Sequence, residues 1–82
     1  MSRVQFQVRY FYHKAEHRTT RRLEVFALGR GEHVVALRDL HHYNRTEKLI
    51  FNWMFDTEKL ALMNADRVAD QLIEAGYKEV WL

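Results

Sequence analysis

Three groups of residues in this 82-residue sequence could do chemistry: its five histidines, a basic cluster, and a mixed acid–base run. His13 and His17 lie four apart with Glu16 between them. On a helix that spacing would put two imidazoles on one face. The segment reads instead as a hairpin loop, and the His-Glu-x-x-His pattern is missing. His41 and His42 are adjacent, so on a strand they point to opposite faces. A zinc site needs three or four convergent ligands. These histidines are therefore expected to be solvated or hydrogen-bonded, with no metal and no other cofactor. The run His41, His42, Tyr43, Arg45, Glu47 and Lys48 holds a base, an acid and a cation. Those suffice in principle for metal-free cleavage of RNA, but the same types populate ordinary turns. No nucleophile elbow, phosphate-cradling glycine loop or paired-carboxylate motif is present. The expectation is a protein that is not an enzyme, with a small metal-free nuclease as a distant alternative.

The basic cluster is Lys14, Arg18, Arg21 and Arg22, with His13 and His17 beside it. A β-ribbon carrying arginines can enter a groove or straddle phosphates, and exposed Phe11 and Phe26 could stack unpaired bases. Residues 1–48 hold ten Lys/Arg against five Asp/Glu, and residues 49–82 hold three against six. The basic half suits an anionic partner. The total is only +2, whereas tight nucleic-acid binders are usually more basic. Nucleic acid is thus a possible partner, and the solvated loop is the blander alternative.

The elements that must position these residues are bounded by composition. The length is that of one domain over residues 1–82, burying about 60–65% of its unfolded surface. With 48% hydrophobic and 29% charged residues, the chain is outside the usual disordered class. There is no cysteine, so no disulfide framework, and a small secreted domain without disulfides is uncommon. No signal-peptide h-region or stretch of about 20 apolar residues occurs. A cytoplasmic protein with no membrane partner is expected.

Val4, Phe6, Val8, Tyr10 and Tyr12 alternate with Gln5, Gln7, Arg9, Phe11 and His13, a period of two that predicts a first strand. Residues 20–28 alternate again. Gly29-Arg30-Gly31 marks a tight hairpin turn, residues 33–42 form a third strand, and Tyr43-Asn44-Arg45-Thr46 a turn. Residues 48–55 fit either a strand or one face of a short helix; aromatic content and length favour a strand. Asp56-Thr57-Glu58 starts a helix, with a capping oxygen and an acidic first turn. Ala61, Ala65, Val68, Ala69, Leu72 and Ile73 recur at helical spacing. Gly76 stands at the helix end, and residues 77–82 form a last strand. The fold class is α+β: an antiparallel four- to five-stranded sheet, β-β-β-β-α-β, with one helix packed on one face. The last strand could join an edge or slot between earlier strands.

One helix covers one face of such a sheet. Val4, Phe6, Val8, Tyr10 and Tyr12, with Leu49, Phe51, Trp53 and Phe55, are assigned to the helix side. The other side should be polar. Gln5, Gln7, Arg9, Glu24 and Asn52 fit; Phe11, Phe26, Leu28, Ile50 and Met54 do not. A large exposed apolar patch marks an interaction site. The reading that follows is a small non-enzymatic interaction module. It would self-associate as a homodimer or dock another protein, with Phe11, Phe26, Ile50 and Met54 at the interface. The alternative is a nucleic-acid-binding module using Lys14, Arg18, Arg21 and Arg22.

The stretch Trp53-Met54-Phe55-Asp56-Thr57-Glu58-Lys59 through Ala69, completed by Gly76-Tyr77, is similar to a pattern in many small bacterial and phage domains. There an aromatic ends a strand, a capped helix follows, and Gly-Tyr precedes a last strand. The resemblance covers about a third of the chain and implies packing, not a function. A small accessory or inhibitor protein, of the kind phages encode, suits the size. The strands-then-helix order also looks slightly like nucleic-acid-binding modules with a Trp-Gly-Arg motif, which is missing at Leu28-Gly29-Arg30.

Overall fold

A computed structural model describes residues 3–15, 19–29, 31–41 and 45–81. Four ten-residue strands come first: β1 (Val4–His13), β2 (Thr19–Leu28), β3 (Glu32–His41) and β4 (Thr46–Phe55). The helix α1 (Glu58–Glu74) and a short β5 (Lys78–Val80) follow. All neighbouring strands are antiparallel, in the order β4-β3-β2-β1-β5. The ambiguous fourth segment is a strand, and β5 joins an edge, beside β1.

The hairpins follow from their turn residues. Leu28 pairs with Glu32, leaving a three-residue loop closed by Gly31 at φ 77°. A glycine in the left-handed region is the usual third residue of such a loop. In the β3–β4 turn the described left-handed residue is Arg45, at φ 53°; residues 42–44 lie outside the described set. Two bulges interrupt the pairing, one between Gln5 and Gln7 in β1 and one opposite Leu37 and Arg38 in β4.

The helix has a capped start and a locked end. Thr57 is extended, and its hydroxyl accepts from the Leu60 N–H at 3.2 Å. At the other end the Tyr77 N–H donates to the Leu72 carbonyl at 2.9 Å, and the Gly76 N–H to that of Ile73 at 3.1 Å. This is a Schellman closure, with Gly76 at φ 100° as its left-handed residue. Leu72 and Tyr77 are both buried, the apolar contact that normally accompanies it.

Ala61, Ala65, Val68, Ala69 and Leu72 of α1 press onto Phe11, Leu23, Val25, Val35 and Leu37 of the sheet. Small alanines on the helix let it sit close to the larger sheet residues. Here the structure corrects the face assigned to β1. Phe11 is fully buried beneath the helix, so it cannot line an exposed interface. Gln7 and Arg9 share its side, paired with Val25 and Leu23, whereas Val8, Tyr10 and Tyr12 face away. The β1 bulge is the reason: it places Phe6 and Gln7 together opposite Val25 and reverses the alternation beyond it. Phe51, Trp53 and Phe55 do lie on the helix side, paired with Leu37, Val35 and His33. Leu49 does not: past the β4 bulge it pairs with Arg38 on the opposite face.

Candidate functional site

The sheet face turned away from α1, called the open face below, has no element over it among the described residues. A helix of this length spans about 25 Å and is about 10 Å wide. It fits across one side of a sheet with strands about 33 Å long. Register places Val8, Tyr10 and Tyr12 of β1 on the open face, with Arg22, Glu24, Phe26 and Leu28 of β2. Val34, Ala36 and Arg38 of β3, and Leu49, Asn52 and Met54 of β4, join them. Ile50, unpaired at the bulge, precedes core-packed Phe51 and projects to the same side as Leu49.

The centre of this face is a charge cluster that neutralises itself. The Glu24 side chain is 6% exposed although no helix or strand among the described residues lies above it. Its Oε2 accepts from Arg3 Nη2 at 2.5 Å and from Gln5 Nε2 at 2.7 Å. Its Oε1 accepts from Arg22 Nε at 2.9 Å, and Arg38 Nε stands 3.6 Å away. Arg22 also grips Glu47 with two parallel bonds, at 2.9 and 3.0 Å. The bonds to Glu47, with those to Glu24, outweigh partial burial and hold the Arg22 guanidinium firmly charged. The same bond holds the Glu47 carboxyl below its ordinary range. The long arginine side chains thus roof over the carboxylate that the backbone leaves uncovered.

Phe26 lies on the open face as expected but is 9% exposed. The Arg3 guanidinium stacks 3.6 Å above its ring, a cation–π lid. Phe26, Val34 and Ala36 form a second small apolar cluster there. Of the four residues expected at an interface, Ile50 and Met54 are exposed, Met54 at 68%. Val8, Leu28 and Leu49 are exposed beside them. Val8 was missed because of the β1 bulge and Leu49 because of the β4 bulge, and neither bulge has a glycine to announce it.

The basic hairpin is not assembled as a single surface. Arg21 and Arg22 project to opposite faces. Arg21 donates to Asp39 at 2.8 Å and lies over the Tyr77 ring, while Arg22 is held by two carboxylates. Lys14 is exposed, and Arg18 lies outside the described residues. His13 has a structural post. Its Nδ1 accepts from the Ala15 N–H, which leaves Nε2 to carry the proton and donate to the Ala75 carbonyl at 3.2 Å. In the acid–base run, His42 and Tyr43 lie outside the described residues, and Glu47 is occupied by Arg22. No group of three His, Cys, Asp or Glu among the described residues could hold a metal ion. No described helix is long and apolar enough to cross a membrane. Compared with known protein families, curated proteins and solved structures, the chain matches none.

Proposed function

We propose that this chain is a non-enzymatic interaction module that binds protein through its open sheet face, with association into a homodimer as the simplest form. The observation that carries the reading is the cluster of exposed Val8, Leu28, Leu49, Ile50 and Met54 around a Glu24 whose charge is already compensated. A partner covering this face would desolvate apolar side chains and bound arginines rather than a bare carboxylate. Tyrosine, methionine and arginine are also the types enriched where proteins meet. Nucleic-acid binding through Lys14, Arg18, Arg21 and Arg22 has less support, since carboxylates engage Arg21 and Arg22.

The test is Met54→Asp, followed by light scattering for mass and circular dichroism for folding. Met54 is largely exposed, so the variant is expected to fold. It is expected to remain near 10.0 kDa where the wild type is larger. A wild type that stays near 10.0 kDa at every concentration would remove self-association from the reading, and a variant as large as a dimeric wild type would remove Met54 from the contact.

A further inference from the structure

We infer that two copies of this chain pack open face against open face, about a two-fold axis that runs across the strands at the level of Val35. The inference rests on the self-associating reading above and names its geometry. Two charges on the open face lack a match within the chain. Glu32 pairs with Leu28, so its side chain projects to that face. It is exposed and has no hydrogen bond or ion pair among the described residues. Arg38 is the least engaged of the guanidiniums around Glu24. Its Nε stands 3.6 Å from the carboxylate, beyond good hydrogen-bonding distance, whereas Arg3 and Arg22 donate to it at 2.5 and 2.9 Å. Arg3, Arg22 and Arg38 thus share only Glu24 and Glu47, and a positive charge is left over at Arg38. Glu32 and Arg38 lie on one strand, about 20 Å apart, and cannot meet within one chain. Between them sits the apolar cluster of Phe26, Val34 and Ala36.

A two-fold contact sets residue i of one copy against j of the other, and j against i. An axis along the strands keeps every residue at its own level and never brings Glu32 to Arg38. An axis across the strands does so when it passes midway between them, at Val35. In that register Ala36 faces the second copy's Val34, and Asn52 faces its Met54. Glu24 comes opposite the second copy's Phe26, over which that copy's Arg3 lies. The apolar cluster then fills the centre, with an Arg38–Glu32 pair on either side. Packed sheets lie about 10 Å apart with strands crossing at about 30°. That crossing displaces the ion-pair level by about 5 Å, within reach of two long side chains. Strands β1 to β4 offer roughly 600 Å² on each copy. Two copies bury roughly 1,200 Å², which reaches the range of stable interfaces. Enclosed between the sheets, the pairs are little screened by salt.

The experiment is sedimentation equilibrium on the full chain, with folding checked by circular dichroism. The wild type is expected at about twice 10.0 kDa. Glu32→Arg and Arg38→Glu are each expected to weaken dimerisation about tenfold, because two symmetric attractions become repulsions. The double variant is expected to restore it. Glu32 is exposed, so Glu32→Arg is expected to fold. It keeps the test decisive if Arg38→Glu, which sets a second carboxylate beside Glu24, does not. Lys78→Glu makes the same change of charge on the same face. Lys78 pairs with Tyr12 near the sheet end, at a level that projects past the strands of the second copy, so this variant is expected to dimerise as the wild type does. A wild type that stays monomeric overturns both this inference and the self-associating reading. A mass that grows beyond the dimer overturns the inference. So does a dimer broken by Met54→Asp but indifferent to Glu32→Arg. That last result would leave the open face standing as the contact and remove only the Arg38–Glu32 register.

Discussion

Two single residues show how local chemistry fixes this fold. Gly76 combines φ 100° with a close approach: a Cβ there would lie 2.7 Å from His13 Nε2. Gly76→Ala must therefore strain the backbone and displace the imidazole from the Ala75 carbonyl. A loss of about 2 kcal/mol is expected in urea denaturation; an unchanged midpoint would mean the helix end is not tied to β1. Glu24 is the second. Glu24→Ala removes the carboxylate that Arg3, Arg22 and Arg38 share, leaves Arg22 held by Glu47 alone, and frees Arg3 to leave the Phe26 ring. Breaking a buried pair costs several kcal/mol, but these arginines keep one side in water. About 2 kcal/mol is expected, with increased binding of an apolar dye as Phe26 is uncovered. A neutral outcome in both measurements would show that the cluster does not shield Phe26.

The elements are joined by a few ionic ties, and Arg9 of β1 makes two of them. Its Nε and Nη2 donate to the two oxygens of Glu79 at 2.9 and 2.7 Å, and Nη1 reaches Asp66 at 3.2 Å. One residue of β1 thus holds both the three-residue β5 and the helix. The bond from Arg9, only partly opposed by burial, lowers the Glu79 carboxyl below its ordinary value. A carboxylate lowered in the folded state contributes stability that is full above its unfolded value, about 4.3. That contribution is lost as pH falls through the lowered folded value. Glu79→Gln is expected to lose about 1 kcal/mol near neutral pH and to flatten the acid limb of the stability profile. An acid limb identical to the wild type would exclude this tie.

The same element scale shows what the sequence discloses. Alternation reveals the first two strands, aromatic content and length favour the fourth, the third lies between turn residues without clean alternation, and Thr57 and Gly76 bracket the helix, because period and capping are local properties. The face of β1 was not legible. One extra residue between Gln5 and Gln7 reverses the alternation, so Phe11 goes to the core and Tyr10 and Tyr12 go out. Nor could sequence show that Arg3 lies over Phe26, since that contact joins distant positions. Ile50 and Met54 were legible as exposed apolar residues because β4 alternates regularly past its bulge. Arg21 and Arg22 read as a basic patch because two of their carboxylate partners, Asp39 and Glu47, come from neighbouring strands; Glu24, two residues from Arg22 on the same strand, was the one local partner.

At the scale of the molecule, one helix on a five-stranded sheet leaves a face with apolar side chains and no element over it among the described residues, and that imbalance is the central claim. Its most direct test is the molar mass in solution by light scattering. It should be measured at low and high salt, with and without a mixed-sequence oligonucleotide. The account expects about twice 10.0 kDa, indifferent to both salt and oligonucleotide, because apolar burial is little affected by moderate screening. A 10.0 kDa monomer that gains mass with oligonucleotide only at low salt would contradict it and move the working surface to the basic hairpin.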